Sequence, residues 1–270
     1  MKRSIRCVSF SAMVLLTCGW ASAQGLISVS QNTVPGLDPI QAQVEATTLA
    51  EESFAFVDRT HELTSARFDP ANGLLNTATT GTLVGFPSYL LGAQYVANAN
   101  DNRTAGTDAV LNDYRATYTV NTPGTAYLLL DNRLDGTAGN VSKANTTDPN
   151  LGGNLSWVTS EGWTRVNTGI MPNGQADYLG IDEGATVADP AARTHHDPGP
   201  GNGLNQFYAI YSRQITAPGT FTTSGIRQPT GSGNMYVVAF QPVPEPSTIV
   251  LAALGGLGVV VAAIRRTRSK

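Results

Sequence analysis

The chain has 270 residues, with 17 basic and 20 acidic side chains and a formal net charge of −3. Seven basic residues lie at the two ends, so residues 24–243 hold 10 basic and 19 acidic residues, a net charge of −9. A nucleic-acid-binding domain needs a basic face, so this balance argues against nucleic acid as a partner. Both cysteines, Cys7 and Cys18, precede this region, which therefore lacks a thiol for a disulfide, a metal or a nucleophile.

Residues 1–23 are predicted to be a secretory signal peptide. Three basic residues open the chain and a largely apolar stretch follows. Ala21 and Ala23 then place small side chains at the −3 and −1 positions before Gln24. This order is that of a cleaved signal, and the apolar stretch is too short for a stable span. We expect export through the inner membrane and cutting by signal peptidase before Gln24; the alternative is an uncleaved N-terminal anchor.

Residues 24–53 are turn-rich and are predicted to be an N-terminal extension, in which 40–52 is the one stretch with a helical pattern. Residues 54–241 are predicted to be one all-β ectodomain, because many short strand patterns are separated by Gly- and Pro-rich turns. Such an order favours a β-sandwich or a jelly roll. Besides the pair described next, the candidate strands are 93–98, 154–160, 206–215, 219–226 and 235–241.

Two consecutive segments have the clearest strand patterns. In residues 115–121, the side chains of Ala116, Tyr118 and Val120 alternate with polar ones, which predicts a half-buried strand. Residues 125–131 are apolar on both faces, as in a central strand. Because the turn sequence Pro-Gly lies between them, we expect the two segments to form a hairpin.

Several short motifs follow one another along the predicted ectodomain. They are Asp58-Arg59 with His61, Leu90-Leu91-Gly92-Ala93, Asn100-Asp101-Asn102-Arg103, Tyr127-Leu128-Leu129, Asp131-Asn132-Arg133, Ser156-Trp157-Val158, Gly162-Trp163, Tyr208 to Arg213 and Met235-Tyr236-Val237-Val238. Their order resembles a β-sandwich accessory module found in secreted bacterial polysaccharide-active proteins, pectate lyases among them. The resemblance implies a galactose-binding-like jelly roll that accompanies enzymes without being their catalytic part. Polar insertions near 138–153 and 184–204 depart from it.

No catalytic motif is present in the sequence: neither G-x-S-x-G nor H-E-x-x-H occurs. His195, His196 and Asp197 have the donors of a metal site. Adjacent residues point apart in a strand, however, and this run lies in a Gly- and Pro-rich segment, so a solvated loop is the favoured interpretation. His61 is expected to make a structural hydrogen bond. We therefore predict that the domain is not an enzyme.

Two other groups of residues are candidates for binding. Asp101, and Asp131 with Asp135, offer oxygen ligands for a structural calcium ion, although ordinary Asx turns are the favoured interpretation. Trp157, Trp163 and Arg133 are candidate ligand-binding residues, because sugars are bound by aromatic faces and planar polar groups. The alternative is core packing for the two rings and an internal ion pair with Asp131 for the arginine. No other cofactor is expected.

The last part of the chain is predicted to cross the membrane. Residues 247–264 contain no charge and would rise about 27 Å as a helix, close to the ~30 Å hydrocarbon core. The basic sequence RRTRSK follows at once, and the positive-inside rule keeps it in the cytoplasm. The bulk of the chain is therefore expected outside.

The triad Pro244-Glu245-Pro246 precedes this helix directly. Triad, apolar helix and basic end, over residues 243–270, resemble the PEP-CTERM sorting signal of exopolysaccharide-producing bacteria. The resemblance implies recognition and cutting by an exosortase, a membrane-embedded cysteine protease, and a final place at the cell surface or in the extracellular matrix. The whole predicts a non-catalytic surface protein that binds polysaccharide or packs against other surface molecules. The alternative is a surface-anchored polysaccharide-active hydrolase.

Overall fold

The structure, a computed structural model, describes residues 25–32, 40–103, 114–136, 140–141, 147–226, 230–231 and 233–243. The predicted signal peptide, with Ala21, Ala23 and Gln24, lies outside the described residues. The sorting triad Pro244-Glu245-Pro246 and the predicted span 247–264 lie outside them as well. Within the described ranges, no helix is long and apolar enough to cross a membrane.

The described chain is mostly β-structure with one short helix, α1 (Ser156–Ser160). Four single 3-10 turns occur at Asn100–Arg103, Gly153–Leu155, Pro172–Gly174 and Pro190–Ala192. The strands are β1 (Leu26–Gln31), β2 (Gln43–Val44), β3 (Ser53–Phe54), β4 (Glu62–Ser65), β5 (Arg67–Phe68), β6 (Thr82–Leu83), β7 (Gln94–Ala97), β8 (Arg115–Val120), β9 (Gly124–Asp131), β10 (Asn140–Val141), β11 (Thr164–Arg165), β12 (Tyr178–Asp182), β13 (Leu204–Ile215), β14 (Gly219–Ser224), β15 (Thr230–Gly231) and β16 (Val237–Pro242).

Two antiparallel sheets dominate the fold. The main sheet has nine strands in the order β2-β7-β16-β9-β13-β12-β4-β3, with β11 also paired to β13. The second sheet has three strands in the order β1-β8-β14. The remaining ladders, β5 with β6 and β10 with β15, are two residues long.

The two sheets pack face to face through aromatic side chains. Within the small sheet, Tyr118 of β8 and the directly opposed Phe221 of β14 stack at a ring-centroid distance of 4.9 Å and bury their rings. Tyr236, just before β16 of the main sheet, reaches across and shares a 2.7 Å hydrogen bond with Thr223 of β14. Burial of these large rings is the main favourable term in such a core. The described domain is therefore an all-β sandwich, as the sequence predicts.

The alternation in residues 115–121 is confirmed, since Ala116, Tyr118 and Val120 are the buried positions of β8. The strands predicted at 93–98, 206–215, 219–226 and 235–241 are also present, as β7, β13, β14 and β16. An alternating pattern depends only on which face of its own strand each residue occupies, so it can be recognised without knowing the neighbouring strands.

The predicted hairpin of residues 115–131 is wrong. Strand β8 pairs with β1 and β14 in the small sheet, whereas β9 pairs with β13 and β16 in the main sheet. The turn between them carries the chain from one sheet to the other. The cause lies in the two patterns: β8 has one apolar face and suits a sheet covered on one side, while β9 is apolar on both faces and takes a central place.

Two further local expectations differ from the structure. The strand predicted at 154–160 is a 3-10 turn followed by helix α1, in which the consecutive side chains of Trp157 and Val158 are both buried. A strand would send them to opposite faces, whereas one helical turn can bury both. The helical pattern in 40–52 gives no helix; that segment contributes strand β2.

The segment predicted as an N-terminal extension is part of the sandwich. Strand β1 lies at the edge of the small sheet, and β2 lies at the edge of the main one. Gly25, just before β1, lies so close to the last strand that a Cβ placed on it would be 2.5 Å from Phe240 and 3.0 Å from Pro242. The first and last described strands therefore meet at one end of the sandwich.

Candidate functional site

Strand register places two acidic residues side by side on the main sheet. Glu62 begins β4 and lies directly opposite Asp182, the last residue of β12. Opposed residues of an antiparallel pair share one face, with Cβ atoms about 5 Å apart. Both carboxylates are buried, with side chains 1% and 5% exposed. Two acids thus face each other away from solvent.

Two histidines from a distant loop cover this pair. His196 lies between the acids, with Nε2 3.0 Å from Asp182 Oδ1 and Nδ1 4.0 Å from Glu62 Oε1. His195 places Nδ1 2.6 Å from the same Glu62 oxygen, and its ring stacks on Phe54 at 4.7 Å. Both histidines lie in an irregular loop and are partly exposed, with side chains 51% and 33% accessible. They nevertheless converge on the two acids, because adjacent side chains of an irregular loop need not point apart.

The loop that carries the histidines is fixed to the sheet by hydrogen bonds. Gly184 donates its N–H to His61 Nδ1 at 3.1 Å, so the structural role expected of His61 is confirmed. Gly201 donates to Thr64 Oγ1 at 2.6 Å. Arg193 donates to the carbonyl of Phe56 at 2.8 Å. Residues 183–203 thus fold back over the ends of β4 and β12.

Two glycines let the loop approach the acids closely. A Cβ on Gly203, whose φ is +58°, would be 2.3 Å from Asp182 Oδ2. A Cβ on Gly184 would be 2.0 Å from Thr60 Oγ1 and 2.8 Å from Cε1 of His196. Real Cβ atoms do not reach such distances, so both positions require glycine for the observed packing.

The electrostatics of the site follow from burial. Burial raises the pKa of Glu62, and the hydrogen bond from His195 is the largest opposing influence. Burial also raises the pKa of Asp182; His196 opposes that rise, while Asp197 and Glu183 add to it. Among the described residues, Asp182 Oδ2 is buried without a hydrogen-bond partner. Burial thus opposes ionisation of both carboxyl groups, and the hydrogen bonds from the two imidazoles favour it.

Within the described ranges, one group of His, Cys, Asp or Glu side chains has three potential ligand atoms close together. It consists of Glu62, Asp182 and His196, whose ligand atoms lie within 4.8 Å of one another. These residues come from β4, β12 and the loop after β12. An imidazole nitrogen with two carboxylate oxygens is a donor set that divalent transition metals accept.

The calcium candidates are located elsewhere, and two of the three are paired with arginines. Asp131 accepts hydrogen bonds from Arg133 Nη2 at 2.7 Å and from the Asn234 backbone N–H at 2.7 Å. Asp101 pairs with Arg59. Asp135 makes an isolated backbone bridge with Asn150. These three aspartates do not form one ligand group in the described part of the chain.

The candidate sugar-binding residues take structural positions. Trp157 is 9% exposed, packs edge-on against Tyr236 at 5.8 Å and donates from Nε1 to the Gly225 carbonyl at 3.2 Å. Trp163 is 3% exposed and packs against Phe221 at 6.2 Å. Arg133 forms the internal ion pair with Asp131 that the sequence suggests as its alternative. The two rings have their faces against protein, so neither offers an open platform for a sugar.

Sequence reasoning missed Glu62 and Asp182 completely. Nothing local distinguishes them from the other acids of this acidic region, because they are 120 positions apart and meet only through strand register. One local signal was a glycine that follows an acid closely in the sequence, as in Asp182-Glu183-Gly184. Even that signal needed the fold before it could be interpreted.

Comparison with known families identifies the tail. Residues 242–266 match the PEP-CTERM protein-sorting motif. The chain carries a PEP-CTERM sorting motif. That motif implies export, a membrane-anchored precursor and processing by an exosortase, which is a membrane protease. The match covers residues 242–266 alone.

No curated protein matches the chain. Among solved structures, the chain is similar to a β-glucuronidase from glycoside hydrolase family 2, at 12% sequence identity and a TM-score of 0.41. The alignment covers 76% of this chain and 14% of that one, so the chain spans about a seventh of its length. A likeness this low carries no argument about what the sandwich does.

Proposed function

We propose that this chain is an exported cell-surface or extracellular-matrix protein whose sandwich binds polysaccharide without cleaving it. The PEP-CTERM motif at residues 242–266 is the observation that carries the surface assignment. The signal-peptide pattern of residues 1–23 supports export, because both signals require passage through the inner membrane.

The tail supplies the means of anchoring. The apolar helix at 247–264 holds the precursor in the bilayer, and the basic end stays in the cytoplasm. The triad Pro244-Glu245-Pro246 then lies at the outer face, where two prolines keep it extended and accessible to the exosortase. In this proposal the sandwich belongs to the galactose-binding-like jelly rolls and is the part that is displayed.

The buried acids support a non-catalytic sandwich. A glycosidase places its two carboxyl groups on either side of a sugar, about 5 Å or more apart, with the glycosidic bond between them. Glu62 and Asp182 are instead buried beneath the histidines and bonded to them. A sugar ring would have to displace the loop to reach either group.

The second candidate function is a surface-anchored polysaccharide hydrolase. The observation in its favour is the same one: two carboxylates with different partners, beside two imidazoles. Opening of the loop 183–203 would be the step that brings substrate to them.

The sorting half of the proposal is tested by replacing Pro244, Glu245 and Pro246 with alanine in the producing cell. Export should continue, because the signal peptide is unchanged, while the precursor with its tail accumulates in the membrane fraction. An immunoblot of membrane and surface fractions measures this. Unchanged processing would contradict the sorting assignment. Replacing Ser247 and Thr248 with alanine is the matched control and should leave processing intact.

The binding half is tested with the full chain, purified in detergent, on an array of neutral and acidic polysaccharides. We expect retention on at least one polysaccharide and no release of reducing ends from it. No retention on any polysaccharide would overturn the binding role. Release of reducing ends that the Glu62→Gln variant abolishes would establish the hydrolase instead.

A further inference from the structure

We propose that Glu62, Asp182 and His196 bind a divalent transition-metal ion of the zinc class, with His195 as a positioning residue. This inference concerns the sandwich itself and stands whether or not the sandwich binds polysaccharide. It rests on the register, burial and charge of these residues.

The positions of the ligand atoms suit a metal ion. Zinc bonds of about 2.0–2.2 Å place the ligands of a tetrahedral site roughly 3.3 Å apart. Asp182 Oδ1 and His196 Nε2 are already 3.0 Å apart, and Glu62 Oε1 lies 4.0 Å from the other nitrogen of that ring. All three ligand atoms fall within 4.8 Å, so side-chain movements of at most about 1.5 Å complete the set.

The charge of the pair calls for a cation. Like charges directly opposite on neighbouring strands are destabilising, and burial makes this worse because water no longer screens them. The buried carboxylate of Asp131, in contrast, is paired with the guanidinium of Arg133. At Glu62 and Asp182 the partners are histidines, and the second oxygen of Asp182 is buried without a partner among the described residues. A dication would neutralise both carboxylates.

The donor types indicate which ion fits. Calcium and magnesium prefer sites made of oxygen atoms, whereas imidazole nitrogen suits zinc and its transition-metal neighbours. One imidazole with two carboxylates is a borderline set that zinc accepts. Three protein ligands leave the fourth position for water. His196, whose side chain is 33% exposed, provides the side of the site that reaches solvent.

His195 would act on the metal through Glu62. An ionised carboxylate oxygen can only accept a hydrogen bond, so His195 Nδ1 donates to Glu62 Oε1 across 2.6 Å. Stacking on Phe54 at 4.7 Å holds the imidazole in place. Partners of this kind orient a metal ligand, and their loss commonly weakens metal binding about 10- to 100-fold.

Binding of the ion would fasten the loop to the sheet. Glu62 and Asp182 belong to strands, whereas His196 belongs to the loop 183–203. Coordination of one ion by all three residues would cross-link the loop to the ends of the two strands. Because the ion binds the folded state alone, it should raise the melting temperature, and the stabilisation should grow with the logarithm of the ion concentration once this exceeds the dissociation constant.

The test uses the full chain, purified in detergent without a histidine tag and stripped with EDTA. Zinc chloride and calcium chloride are titrated separately by calorimetry, and melting is followed with each ion. We expect one zinc per chain with a dissociation constant in the micromolar range or tighter, a higher melting temperature with zinc, and no response to calcium. His196→Ala should weaken zinc binding at least about 100-fold, and His195→Ala about 10- to 100-fold.

Control variants distinguish a loss of zinc binding from a loss of the fold. Asp189→Asn makes the same carboxylate-to-amide change as Asp182→Asn at an exposed position of the same loop, and the amide keeps an oxygen for the Ala191 N–H. This variant should bind zinc like the parent chain. Asp182→Asn should lose the zinc response while its stripped form keeps the parent circular-dichroism spectrum. No stoichiometric zinc binding by the parent, or equal affinity in His196→Ala, would overturn the proposal. The titration contains no polysaccharide, so failure of the proposed function leaves its outcome unchanged.

Discussion

Strands β9 and β12 flank β13, and each ends in a buried acid, Asp131 in β9 and Asp182 in β12. The two acids differ in the side chains that balance their charge. Asp131 ends β9 and is bound by the Nε and Nη2 atoms of Arg133, at 3.0 and 2.7 Å. Asp182 ends β12 and has one imidazole, at 3.0 Å, with a second carboxylate opposite. The first site contains a permanent counter-charge. The second contains one that depends on a proton or on an ion.

The difference separates a structural site from one able to bind. A guanidinium keeps its charge at every physiological pH and its flat fork matches a carboxylate, so the Asp131 pair is complete in itself. Imidazole is neutral or charged near neutrality and can also bind a metal through nitrogen. Buried acids therefore do not alone indicate function; the kind of partner they have is more informative.

The largest effect on stability is expected at the pair of Asp131 and Arg133. Arg133→Met should lower the free energy of unfolding by about 3–5 kcal/mol, because removing one partner leaves a buried carboxylate uncompensated. Urea denaturation of the EDTA-treated protein measures it. Arg213→Met is the control, since the 3.9 Å pair of Arg213 with Glu161 is partly exposed and should contribute less than about 1 kcal/mol. Equal losses in the two variants would mean that the buried pair contributes no more to stability than the partly exposed one.

A middle effect is expected where the loop meets Asp182. Gly203→Ala should cost about 1–3 kcal/mol, because the residue has a positive φ and its Cβ would overlap the carboxylate. Gly92→Ala separates the two causes: its φ is +79°, but nothing lies within 4 Å of its Cβ. Chemical denaturation of both variants should show the larger loss for Gly203→Ala, and a larger loss for Gly92→Ala would mean that the close approach is unimportant.

The smallest effect on stability, with the opposite sign, is expected at the pair of Glu62 and Asp182. Asp182→Asn keeps the oxygen that bonds to His196 and removes one of two opposed charges. The metal-free protein should therefore keep its stability or gain up to about 1 kcal/mol. Asp131→Asn, the same change beside an arginine, should destabilise it. Melting of both variants in EDTA gives the comparison, and a clear loss in Asp182→Asn would show that its charge is already balanced.

The strands were predictable because each depends on a short pattern. Alternation in β8 and the apolar run of β9 were correctly assigned as strands, since burial on one or both faces is visible within six or eight residues. Their pairing was predicted wrongly. Which strand lies beside which depends on the packing of the whole sandwich, and a two-residue turn signal cannot distinguish a hairpin from a crossing between sheets.

The candidate site was less predictable for the same reason. The histidines were noticed as donors, but their partners are set by the β4–β12 register and by a loop that returns across the sheet. A shift of one residue in that register would put Glu62 and Asp182 on opposite faces. The sorting motif was predicted correctly, since residues 242–266 match it, because a linear sequence defines the motif without any tertiary contact.

The meeting of Gly25 with Pro242 at one end of the sandwich orients the whole molecule. Strand β13 runs from Ile215, at that end, to Leu204, which pairs with Asp182, so the two ends lie roughly 35 Å apart along the strand. The polypeptide leaves for its sorting motif from the end opposite the histidines. On a molecule anchored by its tail, the Glu62 cluster therefore lies at the end of the sandwich opposite to the point of attachment, and an ion bound there would act at that distant end.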